Sequence, residues 1–123
     1  MDLSKGPTGP LVFKGHLASA LLYPDRVEFK RSTIARLGGN RSAVVLLPDV
    51  LKVLRQDPTR LVNGYVHLLT AADEGRLRTV ASDPVKAVAG NPRAIMFTWG
   101  QRDTYARFVA VMEEALQRQR PQL

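Results

Sequence analysis

The sequence predicts a mainly β domain, a small and strongly bent antiparallel sheet or barrel covered by one C-terminal α-helix. Three observations predict it. Short apolar runs follow one another from Leu11 to Trp99, separated by Gly, Pro, Asn and Asp turn signals. From Gln101 the apolar spacing changes to three and four, the signature of a helix with one buried face. No helical pattern lies between the strands, so the alternation that builds a parallel sheet is missing.

Residues 1–10 contain two Gly and two Pro and show no periodicity, so they read as a flexible lead-in. Leu11 to Phe13 is a brief strand. Leu17 to Tyr23 is another, ended by the turn pair Pro24-Asp25. Arg26 to Arg31 alternates, with Val27 and Phe29 toward a core and Glu28 and Lys30 away from it. Gly38-Gly39-Asn40 marks a reversal. Ser42 to Leu47 is β-branched and apolar, and reads as a buried strand. Leu47 to Val50 is a short turn or a single helical turn. Leu51 to Arg55 is a strand, and Asp57-Pro58-Thr59 a loop.

Leu61 to Thr70 is the next strand, with Asn63-Gly64 as a bulge or as its beginning. Asp73-Glu74-Gly75 is a turn. Leu77 to Val80 and Val85 to Ala89 are weaker strands around Asp83-Pro84, and Arg93 to Trp99 is a strong one. In the final helix Tyr105, Phe108, Val109, Met112 and Leu116 share one face. Asp103–Arg107 and Glu114–Arg118 stand at the spacing of helical ion pairs. Pro121 stops the helix. The organisation is a flexible segment at 1–10, one domain at 11–119 and a tail at 120–123.

Composition narrows the function. The 123 residues include no Cys, which excludes a disulfide scaffold, a thiol nucleophile and cysteine-ligated metals. The 45% hydrophobic and 24% charged content belongs to a folded soluble domain. No targeting signal is read at the start, and the longest uncharged apolar stretch, Leu17 to Pro24, is too short to span a bilayer. The expected location is the cytoplasm, with peripheral association at a membrane as the alternative. The net charge of +7 is the one unusual global property. It favours anionic partners and says nothing of the fold.

Four segments carry a resemblance to a family. They are Phe13-Lys14-Gly15-His16 running on to the strand at 25–31, Val44 to Val53, Leu61 to Leu68 with its Asn63-Gly64-Tyr65, and Ala94 to Thr98 leading into the helix. In this order the chain resembles the bacterial pleckstrin-homology-like domains, in particular a domain of unknown function common in actinobacteria. The resemblance implies about seven strands in a bent sheet or barrel with a C-terminal helix. It implies binding of lipid, peptide or protein rather than a particular activity. Basic residues on the first hairpin, the lipid-binding signature of the wider fold, are here only Lys14 and Arg26.

No catalytic or metal site is read. His16 and His67 are the only histidines and lie on different segments, and no carboxylates stand at metal-ligand spacing. His67 reads as a strand residue, facing solvent or satisfied within the sheet. No nucleophile elbow and no phosphate-binding Gly loop is present. The protein is expected not to be an enzyme and to need no cofactor.

The candidate binding residues are Lys30, Arg31, Arg36 and Arg41, a cationic run with no acid between Glu28 and Asp49. Arg grips phosphate through paired hydrogen bonds, and Ile34 and Leu37 stand among these cations. Arg76, Arg78, Arg93, Arg102 and Arg107 add charge, but the chain lacks the interleaved aromatics of a single-strand binder. Specific nucleic-acid recognition is not expected. Trp99 and Tyr105 read as packing under the helix, whose apolar face is taken up by the core. The expected function is a non-catalytic binding or scaffolding module acting through protein contacts or self-association, with sheet edges as the means. The alternative is peripheral binding of anionic lipid headgroups through the Lys30–Arg41 segment.

Overall fold

The computed structural model describes residues 9–32, 37, 42–71 and 91–119. Among the described residues seven strands precede one long helix: β1 (Leu11–Gly15), β2 (Ala18–Leu22), β3 (Arg26–Arg31), β4 (Ala43–Leu46), β5 (Lys52–Gln56), β6 (Gly64–Leu69), β7 (Ala94–Phe97) and α1 (Arg102–Gln119). They form two antiparallel sheets, ordered β1-β2-β3-β4 and β5-β6-β7, which do not join into a closed barrel. The expected mainly β fold with a C-terminal helix is therefore present, and it is consistent with a pleckstrin-homology-like architecture. The expected turn at 73–75, the strands at 77–80 and 85–89, the reversal at 38–40 and the stop at Pro121 lie outside the described residues.

Alternation builds the first sheet. Phe13, Ala20, Val27, Phe29 and Val45 point inward and are buried. The register places Phe13 beside Ala20 and Ala20 beside Phe29, so a small residue separates two rings on the inner face. The run at 42–47 is not buried throughout. β4 is the outermost strand of its sheet, and Val44 and Leu46 are exposed while Val45 is buried. A β-branched run marks a strand, but only the topology decides whether one face or two are covered. A single 3-10 turn, Leu47–Asp49, then carries the chain from one sheet to the other.

β6 is the central strand of the second sheet, buried on both faces from Gly64 to Leu68. His67 is accordingly buried, at 1% exposure, and does not face solvent. Gly64 begins the strand because a side chain there would collide with the backbone of Gln56 and Pro58. Gly15 has the same reason at the other end of the fold. A Cβ on it would meet Ile95 and the Met96 carbonyl, and the neighbouring His16 N–H donates to that carbonyl at 2.7 Å. The β1–β2 hairpin thus closes onto β7. Its turn holds Leu17 at a φ of 57°, a conformation an L side chain adopts at a cost of about 1–2 kcal/mol.

The helix covers the space between the sheets. It starts after a capping box in which the Thr98 N–H donates to Gln101 Oε1 at 3.0 Å. Its buried residues are Tyr105, Phe108, Val109, Met112 and Leu116, the face its spacing predicts. Each such side chain contributes on the order of 1.5–3 kcal/mol of burial, against about 1 kcal/mol for a cap, so packing rather than local propensity holds the helix in place. Glu114 and Arg118 form the expected ion pair at 2.7 Å. Asp103 and Arg107 do not pair. The Arg107 guanidinium lies instead 5.7 Å from the centre of the Phe13 ring.

Candidate functional site

Lys30 and Arg31 are neighbours in sequence and point to opposite sides of β3. Lys30 is exposed on the outer face of the first sheet. Arg31 shares the inward side with Val27 and Phe29, and its Nη2 donates to the carbonyls of Ala94 at 2.6 Å and Asn91 at 2.9 Å. Burial lowers its pKa from the usual guanidinium value. Arg31 therefore ties β3 to the start of β7, and the sequence does not reveal that use. Arg36, Arg41 and Ile34 lie outside the described residues, and Leu37 is 85% exposed.

The outer face of the first sheet collects a different set of cations. The register puts Lys14 beside Ser19 and Ser19 beside Lys30, one row across three strands. With strands about 4.8 Å apart, the two lysines start roughly 10 Å from each other, and their stems can converge over Ser19. The row lines a shallow depression of about 500 Å³ that also includes Val12, Leu17 and Leu21 and reaches Arg31 at its rim. The nearest acid on this face, Glu28, is held by Arg26 Nε at 2.9 Å, a contact that raises the arginine pKa. Among the described residues neither Lys14 nor Lys30 has an ion-pair partner.

A second cleft, of about 460 Å³, runs between β5 and α1. Among the described residues β5 is the outermost strand of its sheet, and its Arg55 lines the cleft together with Asp57 and Pro58 of the following loop. The facing wall is helical. Ala106 and Ala110, one turn apart and exposed, leave room where longer side chains would fill it. The core face of the helix is occupied as expected, but this adjoining side is open, which the apolar spacing alone does not disclose.

Charged contacts fix the ends of this cleft. At one end Arg55 Nη2 lies 3.7 Å from Glu113 Oε2. Nearer the other, the buried Tyr105 hydroxyl donates to Asp57 Oδ1 at 2.7 Å. Burial, then that hydrogen bond, push the tyrosine pKa up to about 12. Trp99, which is not part of the cleft lining, is 37% exposed and so not packed under the helix as its position suggests. The turn Trp99–Gln101 swings it outward, where Arg102 and Arg60 place their guanidinium carbons 4.2 and 5.5 Å from its ring centre. Leu61, next to Arg60, is 95% exposed, in a loop secured by the Leu61 and Val62 N–H groups donating to Thr59 Oγ1.

Among the described residues no group of His, Asp and Glu is placed to hold a metal ion, and no helix is long and apolar enough to cross a membrane. No protein-family model, no curated protein and no solved structure matches the chain.

Proposed function

We propose that the protein is a non-catalytic binding module that takes an extended segment of a protein partner into the cleft between β5 and α1. What supports this reading is an open cleft between α1, whose wall there carries Ala106 and Ala110, and the end of β5, the outermost strand of its sheet among the described residues. A peptide in this position adds a strand to the sheet through its main chain, and its alternate side chains enter the cleft. A second copy of the chain supplying the segment would make the module self-associating.

The test is selection of peptides from a random library on the full chain and on the variant A106Q/A110Q. Both substitutions keep good helix formers on an exposed face while filling the cleft. Peptides retained by the wild type are expected to lose at least tenfold in affinity on the variant and to slow amide exchange in β5. Peptides that bind both proteins equally, or none recovered at all, would overturn the reading. Light scattering during gel filtration separates a heterologous partner, expected from a monomeric profile, from self-association.

One observation favours a second reading, peripheral binding of anionic lipid headgroups. Among the described residues Lys14 and Lys30 have no ion-pair partner, and they stand beside Leu17, which projects from the hairpin at 43% exposure. Cations next to an exposed apolar tip suit the surface of an anionic bilayer. Co-sedimentation with phosphatidylcholine vesicles containing phosphatidylserine is expected to retain the wild type at low salt and release K14Q/K30Q. Equal retention of both proteins sinks this site.

A further inference from the structure

We infer that β4 pairs with β4 of a second copy of the chain, antiparallel about a two-fold axis, so that the first sheets of the two copies become one. The inference goes beyond the cleft between β5 and α1 and does not rest on it. It starts from the four residues of β4, Ala43-Val44-Val45-Leu46, which carry no charge. Among the described residues β4 is the outermost strand of its sheet. Its exposures follow the pleat. Val45 is buried, while Val44 and Leu46 are 59% and 48% exposed on the outer face. Edge strands are commonly kept from pairing by a lysine, a proline or a bulge. β4 contains neither Lys nor Pro, and its register with β3 runs from Arg26–Leu46 to Phe29–Ala43 without a bulge. The other outermost strands are protected. β1 carries Lys14, and β5 carries Lys52 and Arg55. β7 meets the β1–β2 hairpin, whose His16 N–H donates to the Met96 carbonyl.

Charge selects a second copy as the occupant. A chain with a net charge of +7 repels its own kind unless the surfaces that meet oppose no cations. The uncharged β4 meets that condition, and its two ends are of opposite sign. Lys30 stands at the Ala43 end, one residue beyond the Phe29–Ala43 pair. Asp49 stands at the Leu46 end, exposed in the turn that follows the strand. Neither makes an ion pair among the described residues. Antiparallel pairing about a two-fold axis sets the Lys30 end of each copy toward the Asp49 end of the other. In the row behind β4, Glu28 already pairs with Arg26. The pleat fixes the register, because residues opposite each other in an antiparallel pair point to the same face. Pairing centred on Val45 puts Val45 opposite its own copy, and Val44 opposite Leu46 of the second copy. The exposed aliphatic side chains then form two cross-strand pairs on the outer face. Four residues a side make a small interface, so the dimer is reversible, with a Kd on the order of 10–100 µM.

The experiment is sedimentation equilibrium of the full chain over concentrations that bracket this range. The average mass is expected to rise from that of the monomer toward twice that value. V44K/L46K, at two exposed positions, puts like charges opposite each other in both cross-strand pairs and is expected to weaken association about tenfold or more. V44K/L46E puts opposite charges there and is expected to stay within about threefold of the wild type. A106Q/A110Q, in the cleft, is expected to dimerise as the wild type does. Amide exchange of the wild type reads the same contact without any substitution, and is expected to slow in β4 as concentration rises. A wild type that stays monomeric throughout, or exchange in β4 that ignores concentration, overturns the inference. So does a dimer that survives V44K/L46K, or one lost equally in V44K/L46K and V44K/L46E with both variants folded by circular dichroism. A dimer broken by A106Q/A110Q overturns it as well, because the copies then meet through the cleft. The peptide selection on A106Q/A110Q decides the cleft reading separately in every case.

Discussion

Replacing Phe108 with Ala is expected to remove about 3–5 kcal/mol of stability, at the upper end of what core truncations cost. The size follows from where the ring sits. Phe108 is fully buried, with Phe13 of β1 at 5.1 Å and Phe97 of β7 at 6.1 Å between ring centres. One side chain on the helix thus meets both sheets, and Tyr105 adds an edge-to-face contact with Phe97 at 5.6 Å. The cavity left by the ring would be bounded by three elements, two of them fixed by strand hydrogen bonds, so it collapses little. With an unfolding entropy of about 2.1 cal/mol/K per residue, each kcal/mol lowers the midpoint of a chain this long by about 4 °C. Thermal unfolding of F108A should therefore begin at least 12 °C or so below the wild type. Arg107→Ala, one residue away and exposed, is expected to cost about 0.5 kcal/mol through its contact with Phe13. A midpoint for F108A within a few degrees of wild type would show that the helix is not what joins the two sheets.

The same helix shows how much the sequence discloses. Five apolar residues at spacings of three and four can only form one face, so their burial is legible from the spacing alone. β3 is legible for the same reason at a period of two. That alternation also places Arg31 on the side of Val27 and Phe29, so its inward course has a signal in the sequence. Net charge hides that signal, because it groups Arg31 with the other cations. Other features depend on neighbours that no local pattern names. Ser42 to Leu47 reads as buried because the residues are apolar, yet β4 ends its sheet and shows one face to solvent. Trp99 reads as core because it is large and apolar, yet Arg102, three residues on, and Arg60, from a distant loop, cover it from outside the core. The β5–α1 cleft is hidden for the same reason. Ala106 and Ala110 stand one turn apart outside the apolar stripe, but a groove exists only once β5 lies opposite them. The row Lys14–Ser19–Lys30 likewise needs the strand register, because the three residues are spread over 17 positions of the chain.

Arg31→Met is expected to destabilise the fold by about 2–3 kcal/mol, whereas Lys30→Met should change it by no more than about 0.5 kcal/mol. Both variants remove one positive charge from adjacent positions, so any effect of net charge is the same in both. The difference arises from the face of β3 on which each side chain lies. Arg31 Nη2 serves two carbonyls, those of Asn91 and Ala94, at a place where burial already lowers its pKa. Methionine keeps the apolar stem and removes the charged donor from both carbonyls, of which Asn91 O keeps the Ala94 N–H at 3.2 Å, in a part of the fold with restricted access to water. Hydrogen bonds from a charged donor contribute about 1.5–3 kcal/mol, and desolvation of the guanidinium offsets part of the sum for two. The expected fall in melting midpoint is about 8–12 °C for R31M and under about 2 °C for K30M. Vesicle binding should follow the reverse order. K30M reduces retention on phosphatidylserine vesicles, and R31M, measured well below its melting midpoint, retains as much as the wild type. If R31M keeps full stability and loses vesicle binding, the guanidinium serves a ligand rather than β7, and the outer-face row is not the cationic site.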